Sequence, residues 1–240
     1  MRTTAMMVAV VMAACFFAAL AFGADESDDK PVNPKVKKLI DTLTANVERL
    51  TVKLPADITD EEEAKLMEEF DLLKRFVKTH LIPLCVNKTF AQQVAGQNAK
   101  QISLDEIKKI DQQWKDAEDE LPIQAEKMSN DCAKEIAKII KKLPVLGETF
   151  VMDNQGANVG QNALTSDYWQ GDEAKWKNSY KDAKGGIDVS GRKFDKSTNV
   201  VDQKVSLPII DAQGKVIGAV CFGVKTEMLA QVMVASNSSN

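Results

Sequence analysis

The chain has 240 residues with 31 Lys and Arg against 35 Asp and Glu, a net charge of −4. It lacks the basic excess that phosphate backbones demand, which excludes nucleic acid as a partner, and its length allows one sizeable core with a helical extension. A single histidine and the absence of CxxC, HExxH, CxxCH, GxSxG and glycine-rich phosphate loops exclude the familiar metal, haem, hydrolase and nucleotide sites, so no catalytic residue, metal or cofactor is expected.

Residues 1–23 begin with Arg2, run apolar from Ala5 to Phe22 and close on Ala21-Phe22-Gly23, which reads as a secretory signal cleaved before Ala24 and a periplasmic location. The same apolar run is long enough for an uncleaved anchor, and both readings place the rest outside the cytoplasm. Cys85, Cys132 and Cys221 follow the signal. In an oxidising compartment an odd count implies one pair and one leftover. Cys221 sits in the apolar run Gly218–Val224 as a small hydrophobe, and a disulfide between Cys85 and Cys132 is expected, the alternative being two core thiols. Such a bridge would stabilise by about 4 kcal/mol through loop closure.

Residues 24–58 form an N-terminal helical extension, with a helix near Lys35–Val52 carrying Val36, Leu39, Ile40, Leu43 and Val47; it packs on the rest or reaches toward a partner. The main domain spans 59–230, and the polar tail 231–240 is expected to be disordered. Thr59 with Glu62 makes a capping box ahead of a stripe through Leu66, Phe70, Leu73, Val77 and Leu81. Ser103 with Glu106 makes another, with Ile102 stapled onto Ile107 and a stripe through Ile110, Trp114 and Ala117 to Leu121. Met128, Cys132, Ile136, Ile139 and Leu143 form one further stripe ending at Pro144. The acidic run Asp60–Glu63 suits the positive end of a helix and is not a calcium site.

After Pro144 the texture changes to short apolar runs with frequent glycine. Strands are predicted near Thr149–Asp153, Ala157–Gly160, Gly186–Ser190, Lys204–Ile210 and Lys215–Val224, with a short helix at Asp172–Tyr180 and a tail helix at Thr226–Val234. The pattern DxQGxxxG occurs twice, as Asp153–Gly160 and Asp211–Gly218, each time between apolar runs. Both copies predict a β-hairpin, with Asp in the turn and Gly supplying positive φ. The fold class is therefore α+β, long helices followed by an antiparallel sheet of the PAS kind.

The segment from Thr165 to Trp176 places three of fourteen aromatics within nine residues, among acids and amides. Aromatic walls with a few polar groups suit a small-molecule pocket. Alternatively the tryptophans plug the sheet as core. His80 lies on a helix and reads as structural.

Phe150–Gly156, then Ser166–Asp172, then Val205–Asp211 leading to Gly214 and Ile217–Val220, resemble the Cache (PDC sensor) domains of extracytoplasmic sensing proteins, and among them secreted single-Cache proteins. The resemblance implies a PAS-like antiparallel sheet behind long helices that binds a small organic ligand, such as an amino acid, carboxylate, amine or purine. By position Trp176 matches a tryptophan bordering the family's pocket, with Tyr168 and Trp169 just upstream. The Arg and Asp by which amino-acid-binding members hold their ligand correspond here to Ala174 and Gly223, leaving Lys175 or Lys177 as the nearest positive charge. The ligand-binding set expected is Tyr168, Trp169 and Trp176 for stacking, with Asp172 and Gln203 as polar contacts. The function implied is a non-enzymatic sensor acting through a membrane-bound kinase, chemoreceptor or transporter, with a homodimer along the long helices; the alternative is a ligand-free interaction module.

Overall fold

A computed structural model describes residues 33–229, apart from 53, 55–56, 192 and 196–199, and gives the backbone alone for 193–195 and 200–202. The expected signal segment, most of the extension before Asn33 and the tail lie outside the described residues. Helix α1 (Pro34–Glu48) starts where the Asn33 side chain accepts from the Lys35 N–H, with Pro34 at the first helical position. It packs on the body through Val36, Leu43 and Val47. Helix α2 (Asp60–Phe76) opens on the predicted capping box: Thr59 Oγ1 accepts from the Glu62 N–H and the Glu62 carboxylate accepts from the Thr59 N–H. Its stripe is buried only from Phe70 onward. The helix then widens into a π turn (Val77–Leu81) and tightens into a 3-10 turn (Ile82–Val86) around Pro83, which has no N–H to continue the α ladder.

Helices α3 (Lys88–Asn98) and α4 (Leu104–Asp116) follow, α4 starting where Ser103 Oγ accepts from the Glu106 N–H. The single stripe predicted from Met128 to Leu143 belongs to two helices, α5 (Pro122–Ser129) and α6 (Asp131–Lys142). They are divided at Asn130, which leaves helical geometry and caps α6 by accepting from the Ala133 N–H.

Six antiparallel strands come after: β1 (Leu146–Met152), β2 (Asn158–Gln161), β3 (Asp188–Val189), β4 (Lys193–Asp195), β5 (Val200–Ile210) and β6 (Val216–Lys225), with helix α7 (Ala174–Tyr180) between β2 and β3. The order is β2-β1-β6-β5-β3, and β4 also pairs with β5. This is the α+β architecture expected, helices first and then an antiparallel sheet. Strand β4 was not foreseen, and the tail helix is a 3-10 turn at Thr226–Met228, its remainder lying outside the described residues.

The two copies of the repeated motif make one structure twice. In the first, the Asp153 N–H donates to Ala157 O, Gly156 N–H donates to Asp153 O, and Asp153 Oδ1 accepts from the N–H groups of Gln155 and Ala157. In the second, Asp211, Gln213, Gly214 and Lys215 repeat each of those bonds. Gly156 and Gly214 take φ of 87° and 78°, the left-handed region glycine enters without strain. A register shift flanks each turn, between Val151 and Met152 and between Ile209 and Ile210. The last glycine of each copy faces the helices: a Cβ on Gly160 would lie 2.5 Å from Cys132 Cβ, and one on Gly218 would lie 2.9 Å from Val94 Cγ1.

These contacts fix the faces of the sheet. Val151, Gly160, Gly218 and Val220 look toward α3 and α6, while Phe150, Met152, Ala219 and Cys221 look the other way, where Trp176 of α7 packs on them. Strand β6 is buried on both faces, which is why its sequence is apolar throughout.

The predicted disulfide is not formed. Cys85 and Cys132 are free and buried, as is Cys221. Cys132 presses its sulfur against β2 at Gly160, and Cys85 is held in the 3-10 turn, so each fills core space of its own. Burial pushes the thiols of Cys85 and Cys132 far above the ordinary range and that of Cys221 up to about 11.

Candidate functional site

The α7 face of the sheet is floored by a row of register partners, Gln161, Phe150, Cys221 and Ser206, one from each of β2, β1, β6 and β5. Neighbouring strands lie about 4.8 Å apart, so the row spans about 14 Å. Its centre is apolar, Phe150 and Cys221, and its ends are polar. On one side Met152 and Ala219 carry the Trp176 indole, which also stacks on Tyr180 at 5.0 Å between centroids. On the other, Lys204 Nζ meets Glu148 Oε2 at 2.7 Å. Above the floor, Lys175 Nζ hangs 5.2 Å from the Phe150 ring centroid, held by Gln170 Oε1 and Glu173 Oε2, each at 3.0 Å.

Two wholly buried side-chain atoms have no hydrogen-bond partner among the described residues, Asn158 Oδ1 and Gln161 Nε2, and a third, Ser206 Oγ, has only the weak Cys221 thiol beside it. All three belong to this face, since Asn158 pairs with Met152, Gln161 with Phe150 and Ser206 with Cys221. Such groups cost about 1–3 kcal/mol each when left unmatched. They are concentrated on one face of the sheet.

The layers are joined at Asp153. Its carbonyl accepts from the Trp176 indole N–H at 3.0 Å, and its Oδ2 accepts from Gln97 Nε2 at 2.9 Å. Gln97 Oε1 in turn accepts from the buried Lys127 ammonium at 2.8 Å. Burial raises the Asp153 carboxyl above its usual range, against the hydrogen bonds from Gln97, Gln155 and Ala157, which lower it.

The five residues predicted to contact a ligand are not brought together. Trp176 lies on the α7 face, half-buried. Tyr168 is 2% exposed and packs with Ile107, Trp114 and Ala157, so it is core beneath α4. Trp169 donates its indole N–H to Gln155 O and its backbone N–H to Asp111 Oδ1 while bridging Ala157, so it anchors the segment to the first hairpin. Asp172 is exposed and offers its carbonyl to Lys177 Nζ. Gln203 points to the opposite face, one residue out of phase with Lys204 and Ser206; it donates to Ser190 O and lines a cavity of about 10 Å³ with Val52, Phe70 and Thr226. A wider groove of about 530 Å³, lined by residues including Glu62, Leu66, Glu69 and Glu227, lies along α2, away from Trp176.

Phe150, Asn158, Gln161 and Ser206 were not expected at the site from the sequence, whereas Lys175 was one of the two positive charges named for it. The signal available was a polar residue at an inward position of an otherwise apolar strand, as at Asn158 and Ser206. Of the two lysines beside Trp176, Lys175 reaches over the sheet and Lys177 stays outside.

No family model and no curated protein matches the chain. Solved structures do. The ligand-binding domain of the Campylobacter jejuni chemoreceptor Tlp3, in complex with L-valine, is 16% identical with a TM-score of 0.34 over 68% of this chain and 65% of that one. The V. cholerae histidine kinase DctB sensor domain is 13% identical, TM-score 0.34, over 71% and 60%. The E. coli DcuS sensor domain is 18% identical, TM-score 0.37, over 69% and 96%. The chain spans less than two thirds of the length of the first two. Among the described residues no helix is long and apolar enough to cross a membrane.

Proposed function

We propose that the protein is a periplasmic, non-enzymatic sensor that holds a small molecule on the α7 face of its sheet and reports it to a membrane-bound kinase, chemoreceptor or transporter. The observation that carries this reading is the gathering of Asn158 Oδ1 and Gln161 Nε2, buried and unpartnered, and of Ser206 Oγ, set against the weak Cys221 thiol, around the apolar floor of Phe150 and Cys221. An apolar floor supplies contact area, and a few fixed polar atoms supply orientation. Trp176 closes one side, and its bond to Asp153 ties the ligand face to α3 and α5. The apolar residues 1–23 support export.

Thermal-shift screening against amino acids, organic acids, amines, amides and purines tests the site. A true ligand at a hundred times its Kd stabilises by about 2.7 kcal/mol. Trp176→Ala and Ser206→Ala should each weaken that hit. If no compound stabilises the protein, or if both variants bind a hit as the parent does, this face is not the site.

A further inference from the structure

Resting on the reading of the α7 face as a ligand site, the hydrogen bonds around Asn158 also indicate what kind of molecule it takes. The Asp167 carbonyl can only accept, and it lies 3.1 Å from Asn158 Nδ2, so the amide nitrogen of Asn158 faces it. That nitrogen also donates to Gln161 Oε1 at 3.0 Å, which the Thr165 hydroxyl approaches at 3.2 Å. Thr165 Oγ1, 2.8 Å from the same nitrogen, shares its two N–H groups, and the network as a whole favours this orientation of both amides. Asn158 leaves a lone acceptor, Oδ1, and Gln161 a lone donor, Nε2, on two β2 amides that are themselves joined at 3.0 Å. Both residues are wholly buried.

The charges on the same face are matched already. Lys175 pairs with Glu173, and Lys204 pairs with Glu148. The unmatched atoms are neutral.

We propose that the site reads an uncharged donor–acceptor edge, a secondary amide or lactam whose carbonyl accepts from Gln161 Nε2 and whose N–H donates to Asn158 Oδ1, its body taking the place over Phe150 that the Lys175 and Trp176 side chains hold here. Recognition through paired neutral hydrogen bonds discriminates sharply against analogues that lack one of them, because the buried protein atom is then left unpaired.

The test uses δ-valerolactam, 2-pyridone and uracil, each beside its N-methylated counterpart, with glutarate and butylamine as charged controls. Binding is followed by 15N-resolved NMR of the full domain, where the side-chain NH₂ signals of Asn158 and Gln161 report directly. At least one unmethylated lactam should shift both signals saturably, and its N-methyl analogue should bind roughly tenfold or more weakly. Gln161→Glu, which replaces the donor by an acceptor, should weaken the lactam to a similar degree. Should that variant fail to fold, as its amide spectrum would show, the methylated pairs alone decide. Equal binding of a lactam and its N-methyl analogue overturns the proposal. Tighter binding of glutarate or butylamine at the same two signals overturns the lactam class while leaving the ligand face in place. If no compound of any class moves those signals, and ordered water partners the three atoms in a crystal structure, both readings fall.

Discussion

The doubled turn provides its own control. Asp153→Ala removes the acceptor of the Gln155 and Ala157 N–H groups and one acceptor of Gln97 Nε2. Asp211→Ala removes the same two backbone contacts, to Gln213 and Lys215. The difference is solvent. Ala157 is wholly buried, so its N–H finds no substitute, whereas Gln213 and Lys215 are exposed and water replaces the carboxylate. An orphaned buried donor costs about 1–3 kcal/mol and a half-buried one about 1 kcal/mol, so Asp153→Ala should cost about 2–4 kcal/mol against about 0.5–1 kcal/mol for Asp211→Ala. For a domain of this size that is a fall in Tm of about 5–15 °C against about 1–4 °C. Urea denaturation with unchanged m-values measures both. Equal costs at the two positions would refute the argument that burial, not turn geometry, sets the energy.

The raised carboxyl of Asp153 makes a companion prediction. The folded state binds its proton more readily than the unfolded one, so this group favours folding as pH falls from its raised folded value toward about 3.9. Asp153→Asn removes that trend, and the stability gap between variant and parent should widen in acid. His80 has the opposite sign: burial holds its imidazole below the ordinary value, so stability should fall as pH drops below about 6.5, where the unfolded histidine charges. In His80→Gln the slope between pH 7 and 5 should flatten, read from urea midpoints. Cys85, Cys132 and Cys221 should resist a thiol reagent in the native protein and all react in denaturant without reductant; protection of two of them there would restore the bridge. Trp176→Ala removes an indole packed against the cluster that Phe150, Met152, Ala219 and Cys221 form, and its bond to Asp153, and should cost about 2–4 kcal/mol by calorimetry or denaturant. A cost near zero would mean that the α7 layer is not part of the cooperative fold.

The hairpins, the capping boxes and the change from helix to strand after Pro144 were legible because each is a local arrangement. Asp153 bonds backbone two and four residues on, and Thr59 bonds three residues on, so a short window of sequence holds the whole interaction. The two helices α5 and α6 read as one because Met128 and Cys132 keep helical spacing across Asn130, whose capping role shows only in its backbone angle. The candidate site was less legible. Tyr168, Trp169 and Trp176 attracted notice as neighbours in sequence, yet the first fills the core under α4 and the second holds a hairpin. Gln203 missed the face by one residue, and in a strand one residue reverses the side.

By itself the chain's order of residues determined the elements, the paired turns and a class of fold, since periodicity and turn chemistry act over a few residues. Only the tertiary structure decided which polar groups meet. Gln161, Phe150, Cys221 and Ser206 come from four strands and lie up to 71 residues apart, and it is the register of β2, β1, β6 and β5 that lines them up on one face. The same packing buried Asn158, Gln161 and Ser206 together on that face, a juxtaposition that no short window of sequence contains.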